Sequence, residues 1–181
     1  ACFVVWGVEN TLKRCIGMFS IALWDRELRI LTLARDRMGE KPLYYGWQGF
    51  GERATFLFGS ELKALKAHPY FNAGIDRNAL ALLMRHNCIP APYSIYASIY
   101  KLVPGGVLTV SLNNPEPSVS KYWSAARSAA AGILNPFSGS SSDAVLRLEE
   151  LAMDAVRRQM MADVPLGAFL SGGVDSSTVV A

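Results

Sequence analysis

Side chains alternate with a period of two over residues 18–24, the first part of a predicted hairpin at 17–34. Phe19, Ile21 and Leu23 fall on one side of such an extended segment, and the polar stretch Asp25–Arg29 separates it from a second apolar run. Because successive side chains of a strand point to opposite faces of a sheet, this pattern predicts a β-hairpin.

Helices and further strands are predicted on both sides of this hairpin. Helices are expected at 3–15 and 77–85, and strands at 56–58 and 107–112. Gly17 is a stop signal for the first helix, and Asp76 is a suitable N-cap for the second. This mixture predicts an α+β sheet region.

A longer helix is predicted after a segment rich in alanine, serine and glycine. That segment, 124–142, has few charges and the composition of a linker or a surface crossing. Ser140–Asp143 supplies capping side chains for the helix that follows. Its apolar stripe consists of Val145, Leu148, Ala152, Val156 and Met160.

Residues 163–181 contain the segment with the clearest pattern of a ligand-binding site. Val164–Leu170 is short and almost wholly apolar, which suits a strand buried on both faces of a parallel sheet. A glycine-containing turn follows, and Thr178–Ala181 predicts the start of a helix. A strand, a glycine turn and a helix N-terminus form a site for anions, because free backbone N–H groups point at the ligand.

The side chains of this turn have the chemistry of a phosphate site. Gly172 and Gly173 permit positive φ and close backbone approach. The hydroxyls of Ser171, Ser176 and Ser177 add hydrogen-bond donors. Asp175 is a candidate ligand for a metal ion, held directly or through water against phosphate oxygens.

Two common nucleotide motifs are absent from this turn. A P-loop needs a lysine directly before its serine or threonine, and no lysine occurs between Asp163 and Ala181. The glycines also lack the G-x-G-x-x-G spacing of a dinucleotide loop. An ordinary serine-glycine turn is the simpler alternative, but the order of strand, turn and apolar helix start favours phosphate binding.

The run Ser171–Ser177, preceded by Asp163–Gly167, resembles the pyrophosphate-binding loop of the ATP-pyrophosphatase superfamily, and most closely that of glutamine-hydrolysing asparagine synthetases. The resemblance implies ATP and Mg²⁺ as cofactors. In that family ATP adenylates the side-chain carboxylate of aspartate, pyrophosphate leaves, and glutamine-derived ammonia gives asparagine and AMP. It also implies that Leu170 contacts the nucleotide, and that the phosphates are surrounded by Ser171, Gly172, Gly173, Asp175, Ser176 and Ser177.

The resemblance extends over nearly the whole chain. Segments 17–25 and 33–45 are similar to the later strands of the family's glutaminase domain, and segment 58–65 is similar to the part that follows them. Segments 89–92, 95–96 and 101–106 are similar to the end of that domain and its exit. It implies three parts: 1–118 as the C-terminal part of an Ntn-hydrolase-type class II glutaminase domain, 119–141 as a linker, and 142–181 as the beginning of an α/β parallel-sheet ATP-pyrophosphatase domain. Asn87-Cys88 departs from the family, which usually has a glycine and an aromatic residue there.

The cysteines offer no glutaminase nucleophile. A class II amidotransferase uses an N-terminal cysteine whose free amine acts as the base. Cys2 is preceded by Ala1 and lies in a predicted helix, and Cys15 and Cys88 belong to no metal or nucleophile motif. The resemblance places the nucleophile upstream of Ala1 and the synthetase catalytic residues downstream of Ala181, so we expect the chain by itself to be inactive.

Several charged and aromatic residues have structural interpretations. Arg35, Asp36, Glu40 and Lys41 are expected to fix a turn through ion pairs and caps, and Ser60-Glu61 is expected to cap a helix. The aromatic residues Trp24, Tyr44, Tyr45 and Trp47 are expected to lie in the core.

Composition limits the remaining function classes. The chain has 181 residues, 51% of them hydrophobic and 18% charged, as in a globular protein. A net charge of +3 with intermixed signs gives no basic tract, which argues against nucleic acid as a partner, and no apolar run is long enough to span a membrane. An odd number of cysteines favours a reducing, cytoplasmic location.

Three alternatives remain open from the sequence. The acceptor could differ from aspartate, as in enzymes resembling β-lactam synthetases or amidotransferases that serve cell-surface polymers. The chain could also be an inactive binding or structural module in which Val164–Leu170 lacks neighbours and the loop is weak or silent for ATP. The expected partners are small molecules, namely aspartate, glutamine or ammonia, and ATP; the oligomeric state is open, with a homodimer among the arrangements.

Overall fold

The computed structural model describes residues 1–181, which divide into two compact units, Ala1–Arg127 and Ser128–Ala181. In chain order the elements are α1 (Cys2–Arg14), β1 (Ser20–Asp25), β2 (Ile30–Arg35), β3 (Tyr44–Gln48), β4 (Thr55–Gly59), α2 (Leu62–Lys66), α3 (Arg77–His86), β5 (Tyr100–Lys101), β6 (Gly106–Ser111), β7 (Ser118–Lys121), α4 (Ala125–Leu134), α5 (Ser141–Gln159) and α6 (Val174–Val180). None of the helices is long and apolar enough to cross a membrane.

The first unit contains two antiparallel sheets. One has four strands in the order β1-β2-β6-β7, and the other has three in the order β4-β3-β5. The predicted hairpin is confirmed: β1 pairs with β2 from Ser20 opposite Arg35 to Asp25 opposite Ile30. The strands predicted at 56–58 and 107–112 are present as β4 and β6.

The alternation of side chains along β2 divides the core into two clusters. Leu33 is fully buried and packs with Leu108 of β6 against Tyr45 of the three-stranded sheet. The next residue, Ala34, points to the opposite face and packs against Leu12 of α1 and Tyr122. The four-stranded sheet is therefore covered on one face by the second sheet and on the other by α1.

Helix α1 is interrupted where a single helix was predicted. Gly7 has a φ of 73° and a ψ of 172°, outside the helical region. The Thr11 hydroxyl bonds to the carbonyls of Gly7, at 2.7 Å, and Cys2, at 3.1 Å. At the other end, the guanidinium of Arg37 donates to the carbonyl of Cys15 at 2.6 Å, which fixes the exit of the helix.

Arg35 and Asp36 organise the turn that follows β2. The Asp36 carboxylate is 1% exposed and accepts hydrogen bonds from the backbone N–H groups of Glu40 and Lys41, each at 2.9 Å. Arg35 donates to the carbonyls of Lys41 and Leu102. Arg35 and Asp36 therefore fix the turn, as predicted, but they do so through backbone groups. The ion pairs expected among Arg35, Asp36, Glu40 and Lys41 are not formed.

The helix N-caps follow the prediction in one place and differ in another. Asp76 accepts hydrogen bonds from the N–H groups of Asn78 and Ala79 and begins α3, as predicted. Glu61 occupies the N-cap position of α2 but forms no side-chain cap. Its carboxylate pairs instead with Lys63 at 2.7 Å, while Ser60 lies 3.2 Å from the Ser20 hydroxyl.

Trp24 corrects the prediction that all four aromatic residues belong to the core. Tyr45 is buried, and Tyr44 and Trp47 are half-buried, but Trp24 is 49% exposed. The reason is its position on β1, an edge strand with no neighbour on its outer side.

The segment predicted as a linker, 119–141, contains regular structure. Its first residues belong to β7, which pairs with β6 from Gly106 opposite Lys121 to Thr109 opposite Ser118. Alanine-rich residues then form α4. Alanine has the highest helix propensity, so a composition that suggests a linker also suits a helix.

The second unit consists of helices and irregular segments. Helix α5 begins with a capping box, in which the Ser140 hydroxyl accepts from the Asp143 N–H and the Asp143 carboxylate accepts from the Ser140 N–H. The predicted capping of this helix is thereby confirmed. The apolar side chains of α5, such as Val145 and Leu148, are exposed.

The strand predicted at Val164–Leu170 is absent, which corrects that expectation. These residues are irregular, and Phe169 and Leu170 are exposed. A parallel strand requires neighbours for its N–H and C=O groups, and the second unit contains no other strand that could provide them. The structure thus shows an α+β first unit with antiparallel sheets, and no parallel sheet in the second.

Candidate nucleotide-binding loop

The loop predicted to bind phosphate lies directly before α6. Gly172 has a φ of 79°, a conformation that L side chains rarely adopt, and a Cβ added there would meet no other atom. Gly173 is the N-cap of the helix. Gly172 therefore has the positive φ that the sequence predicted, and it turns the chain. Gly173 has a φ of −80°, and the helix begins at Val174, earlier than the predicted start near Thr178.

The first turn of α6 supplies amide donors. In any α-helix the first N–H groups have no intrahelical acceptor, and here these belong to Val174, Asp175 and Ser176. The first bond of the helix runs from the Ser177 N–H to the Gly173 carbonyl at 3.1 Å. The exposed free amides suit the oxygens of an anion.

The serine hydroxyls are engaged in local hydrogen bonds. Those of Ser176 and Ser177 both donate to the Gly173 carbonyl, at 3.1 and 2.8 Å, and the Ser171 and Ser176 hydroxyls are 3.1 Å apart. Because serine commonly bonds to a carbonyl three or four residues earlier in a helix, the sequence could have indicated this. These exposed hydroxyls can exchange their local acceptors for a bound anion by rotation about χ1.

Asp175 and Leu170 are both exposed, and each offers a different kind of contact to a ligand. The Asp175 carboxylate forms no hydrogen bond or ion pair within the protein, so its oxygens are free to bind a cation. No group of three or more potential metal-ligating side chains surrounds it. This arrangement fits Mg²⁺ only in company with phosphate oxygens, since Mg²⁺ is often bound by one or two carboxylates together with substrate phosphates. Leu170 offers an apolar surface next to the turn.

The three cysteines lie in helices or close to their ends. Cys2 lies exposed in the first turn of α1, and Cys88 is exposed after α3, whereas Cys15 is partly buried at the end of α1. All are free thiols. The prediction that Cys2 is a helix residue is confirmed.

Comparison with known proteins identifies the family. The family model described as "Glutamine amidotransferase domain" matches residues 1–123, and the model described as "Asparagine synthase" matches residues 147–181. The chain belongs to the glutamine amidotransferase domain family. Its second match contains the whole of the candidate loop.

Individual relatives agree with this assignment. Asparagine synthetase [glutamine-hydrolyzing] 3 of Bacillus subtilis is 34% identical over 180 residues, which are 99% of this chain and 27% of the relative. Putative asparagine synthetase [glutamine-hydrolyzing] 2 of Methanocaldococcus jannaschii is 37% identical over 176 residues, 94% of this chain and 32% of the relative. Amidase chyE of Penicillium rubens is 27% identical over 164 residues, 90% of this chain and 22% of the relative.

These matches confirm the resemblance to glutamine-hydrolysing asparagine synthetases. They also set its extent, because the chain spans only about a third or less of the length of these relatives. The activities given in the relatives' names therefore refer to proteins longer than this chain.

Proposed function

We propose that this chain is part of a glutamine-dependent asparagine synthetase and that residues 170–177 bind the phosphates of ATP. The observation that carries the proposal is the order of the family matches, amidotransferase before asparagine synthase, with the glycine-serine loop inside the second. In this function ATP supplies the group that activates the aspartate carboxylate toward ammonia.

The residues of the loop have distinct roles in the proposal. The amides of Val174 and Asp175 hold phosphate oxygens, aided by the positive end of the α6 dipole. Gly172 keeps side chains away from the ligand. Ser171, Ser176 and Ser177 rotate their hydroxyls toward the phosphates, and Asp175 holds Mg²⁺ against them. Leu170 contacts the nucleotide.

In this proposal the two parts of the chain belong to domains with different functions. Residues 1–118 belong to the glutaminase domain that releases ammonia from glutamine, and residues 142–181 open the domain that uses ATP. The segment 119–141 connects them. The reaction takes place in the cytoplasm on small molecules and gives asparagine, AMP and pyrophosphate.

The test uses the longer protein that contains this chain, purified with Mg-ATP, aspartate and either glutamine or ammonia. We expect aspartate-dependent release of pyrophosphate, and a decrease of at least about tenfold in the variant Asp175→Asn, because a metal-bound carboxylate contributes more than one ordinary hydrogen bond. The variant Ser141→Ala, at an exposed position of α5, is the matched control and should retain full activity. If Asp175→Asn is as active as the control, the proposal that Asp175 holds Mg²⁺ is wrong.

A second candidate keeps the same loop but changes the acceptor. The similarity to Amidase chyE favours this second candidate. The name of that relative indicates a different activity, although the alignment with it covers 90% of this chain. If pyrophosphate release requires a carboxylate other than aspartate, this second candidate is correct. Absence of ATP binding by the longer protein would contradict both and would favour a binding or structural module.

A further inference from the structure

A thiol and an amine lie close together between the end of α3 and the three-stranded sheet. Cys88 is exposed two residues after the end of α3, and Lys101 is the last residue of β5. The Lys101 Nζ donates a 2.7 Å hydrogen bond to the carbonyl of Ile89, the residue directly after Cys88. Because consecutive Cα atoms are about 3.8 Å apart, this bond holds the amine about one residue's length from the backbone of Cys88.

The environment of Lys101 makes its amine more nucleophilic than that of an exposed lysine. Lys101 is half-buried, forms no ion pair with a carboxylate, and its Nζ lies 5.6 Å from the centre of the Tyr44 ring. Burial lowers the pKa of Lys101 and the charge of Arg35 lowers it further, whereas the charge of an ionised Cys88 raises it. The amine is therefore more readily present in its neutral, reactive form, and the thiol lies within electrostatic range of it.

Cys88 supplies the access that a half-buried amine lacks. It is a free thiol and is exposed, so a reagent in solution can reach it. Thiolates are strong nucleophiles toward acyl groups, and they exchange readily with thioesters. Once an acyl group is on Cys88, attack by the neighbouring Lys101 amine takes place within one molecule, and such proximity accelerates a reaction greatly.

We propose that Lys101 is a site of acylation and that Cys88 passes the acyl group to it from a small thioester. The Cys88 thiolate attacks the thioester carbonyl, a new C–S bond forms, and the donor leaves as its thiolate. The Lys101 amine then attacks the same carbonyl carbon, the C–N bond forms, the C–S bond to Cys88 breaks, and the proton of the amine goes to the sulfur. The products are an amide at Lys101 and the restored Cys88 thiol.

Acylation changes the contacts of Lys101 locally. The amide nitrogen keeps one N–H for the Ile89 carbonyl, but the positive charge beside the Tyr44 ring is lost. A charge-assisted hydrogen bond is thereby replaced by a neutral and weaker one. The modification needs neither ATP nor the loop before α6, so it is independent of the function proposed above.

The experiment treats the 181-residue chain with S-acetyl-N-acetylcysteamine, a small acyl thioester, and follows acetylation of each lysine by peptide mass spectrometry. We expect Lys101 to be acetylated at least about tenfold faster than Lys63, because Lys63 has no thiol placed to deliver the group. Lys63 is exposed, and its hydrogen bond to Glu61 raises its pKa. A hydroxylamine-sensitive thioester on Cys88 should form first and decay as the amide appears.

Variants separate delivery by the thiol from direct reaction of the amine. Cys88→Ser preserves the size of the side chain but removes the thiol, and it should slow acetylation of Lys101 at least about tenfold while leaving Lys63 unaffected. Lys101→Arg keeps the positive charge and should leave the acetyl group on Cys88. Cys2→Ser is the matched control, because Cys2 is also an exposed thiol but lies on α1, on the opposite side of the four-stranded sheet from β5.

The proposal is wrong if Lys101 is acetylated equally fast in Cys88→Ser and in the unaltered chain, or no faster than Lys63. It is also wrong if the thioester stays on Cys88 without transfer, or if Cys2→Ser slows the reaction as much as Cys88→Ser. Because Cys88 and Cys2 are both exposed, neither serine variant disturbs the core, and circular dichroism confirms that each is folded. Loss of ATP-dependent activity in Asp175→Asn has no bearing on these outcomes, so the two proposals fail separately.

Discussion

The hydroxyl of Tyr122 donates a 3.1 Å hydrogen bond to the backbone carbonyl of Arg35. Tyr122 follows β7, and Arg35 is the last residue of β2, so the bond joins parts of the chain separated by 87 residues. Tyr122 is 7% exposed and packs with Leu12 and Ala34 beneath α1. One side chain therefore connects the sheet, the helix and the turn that follows β2.

This burial makes stability depend on pH in the alkaline range. Burial raises the pKa of Tyr122 to about 12, whereas tyrosine in an unfolded chain ionises near 10. The unfolded state therefore loses the proton first, and the stabilisation present below pH 10 is lost as the pH rises toward 12. We expect this one group to lower the free energy of unfolding by about 2 kcal/mol across that range.

The measurement is denaturant unfolding of the unaltered chain and of Tyr122→Phe between pH 8 and pH 12. The variant should be less stable by about 1 kcal/mol at pH 8, because it lacks the hydrogen bond, and should lose less stability at higher pH. Tyr93→Phe, at an exposed position, is the control and should follow the unaltered chain. Parallel curves for Tyr122→Phe and the unaltered chain would contradict the prediction.

Asp36→Asn should destabilise the first unit strongly. The amide NH₂ of asparagine cannot accept the bond that one carboxylate oxygen accepts, so the N–H of Glu40 or of Lys41 loses its partner. Leaving a buried donor unsatisfied, with loss of a charge-assisted bond, costs about 2–3 kcal/mol. Chemical unfolding measures this loss. Asp25→Asn is the control, because Asp25 makes the same kind of bonds to Glu27 and Leu28 in an exposed turn, and its loss should be below about 1 kcal/mol.

Arg37→Ala should loosen the end of α1 without unfolding the sheet. Its guanidinium bonds to the carbonyls of Cys15 and Lys13, which no helical N–H satisfies. We expect a loss of about 1–2 kcal/mol and faster hydrogen exchange at residues 12–15, with protection of β2 and β6 unchanged. Arg26→Ala, in the exposed turn between β1 and β2, should leave exchange at the helix end as it was. Uniformly faster exchange in both sheets would refute the local role of Arg37.

Ser140→Ala should shorten α5. The variant removes the hydroxyl that accepts from the Asp143 N–H at 3.2 Å and leaves the reciprocal half of the capping box alone. Loss of such a cap costs about 1 kcal/mol, and α5 has exposed apolar side chains and few other supports in its unit. Far-ultraviolet circular dichroism should show lower helicity. Ser141→Ala changes the next residue, which caps nothing, and should preserve or raise the helicity.

The sequence predicted most of the first unit because its signals were local. Alternation gave the β1-β2 hairpin, and the side-chain chemistry of Asp76 and Ser140 gave two helix starts. The failures came where non-local contacts decide. Apolar composition alone suggested a strand at Val164–Leu170, but a strand needs a neighbour, and an edge position left Trp24 exposed.

The candidate loop was predictable to a similar extent. The positive φ of Gly172 followed from the residue type, whereas the helix begins at Val174 and not near Thr178, where the apolar residues placed its start. The bonds from Ser176 and Ser177 to the Gly173 carbonyl follow a pattern that is common for serine in a helix, but they were not predicted because the helix was expected to begin later.

The two faces of β2 also determine how this part of the chain can change. Leu33 packs against the second sheet and Ala34 packs against α1. These adjacent residues are therefore subject to unrelated packing requirements. An inserted or deleted residue within β2 would exchange the two sets and could place the hydroxyl of Thr32, the one hydroxyl of this strand, between the sheets. Substitutions are tolerable one face at a time, whereas a change of length is not. We therefore expect libraries of variants to show compensation between position 34 and α1, and separately between position 33 and the three-stranded sheet.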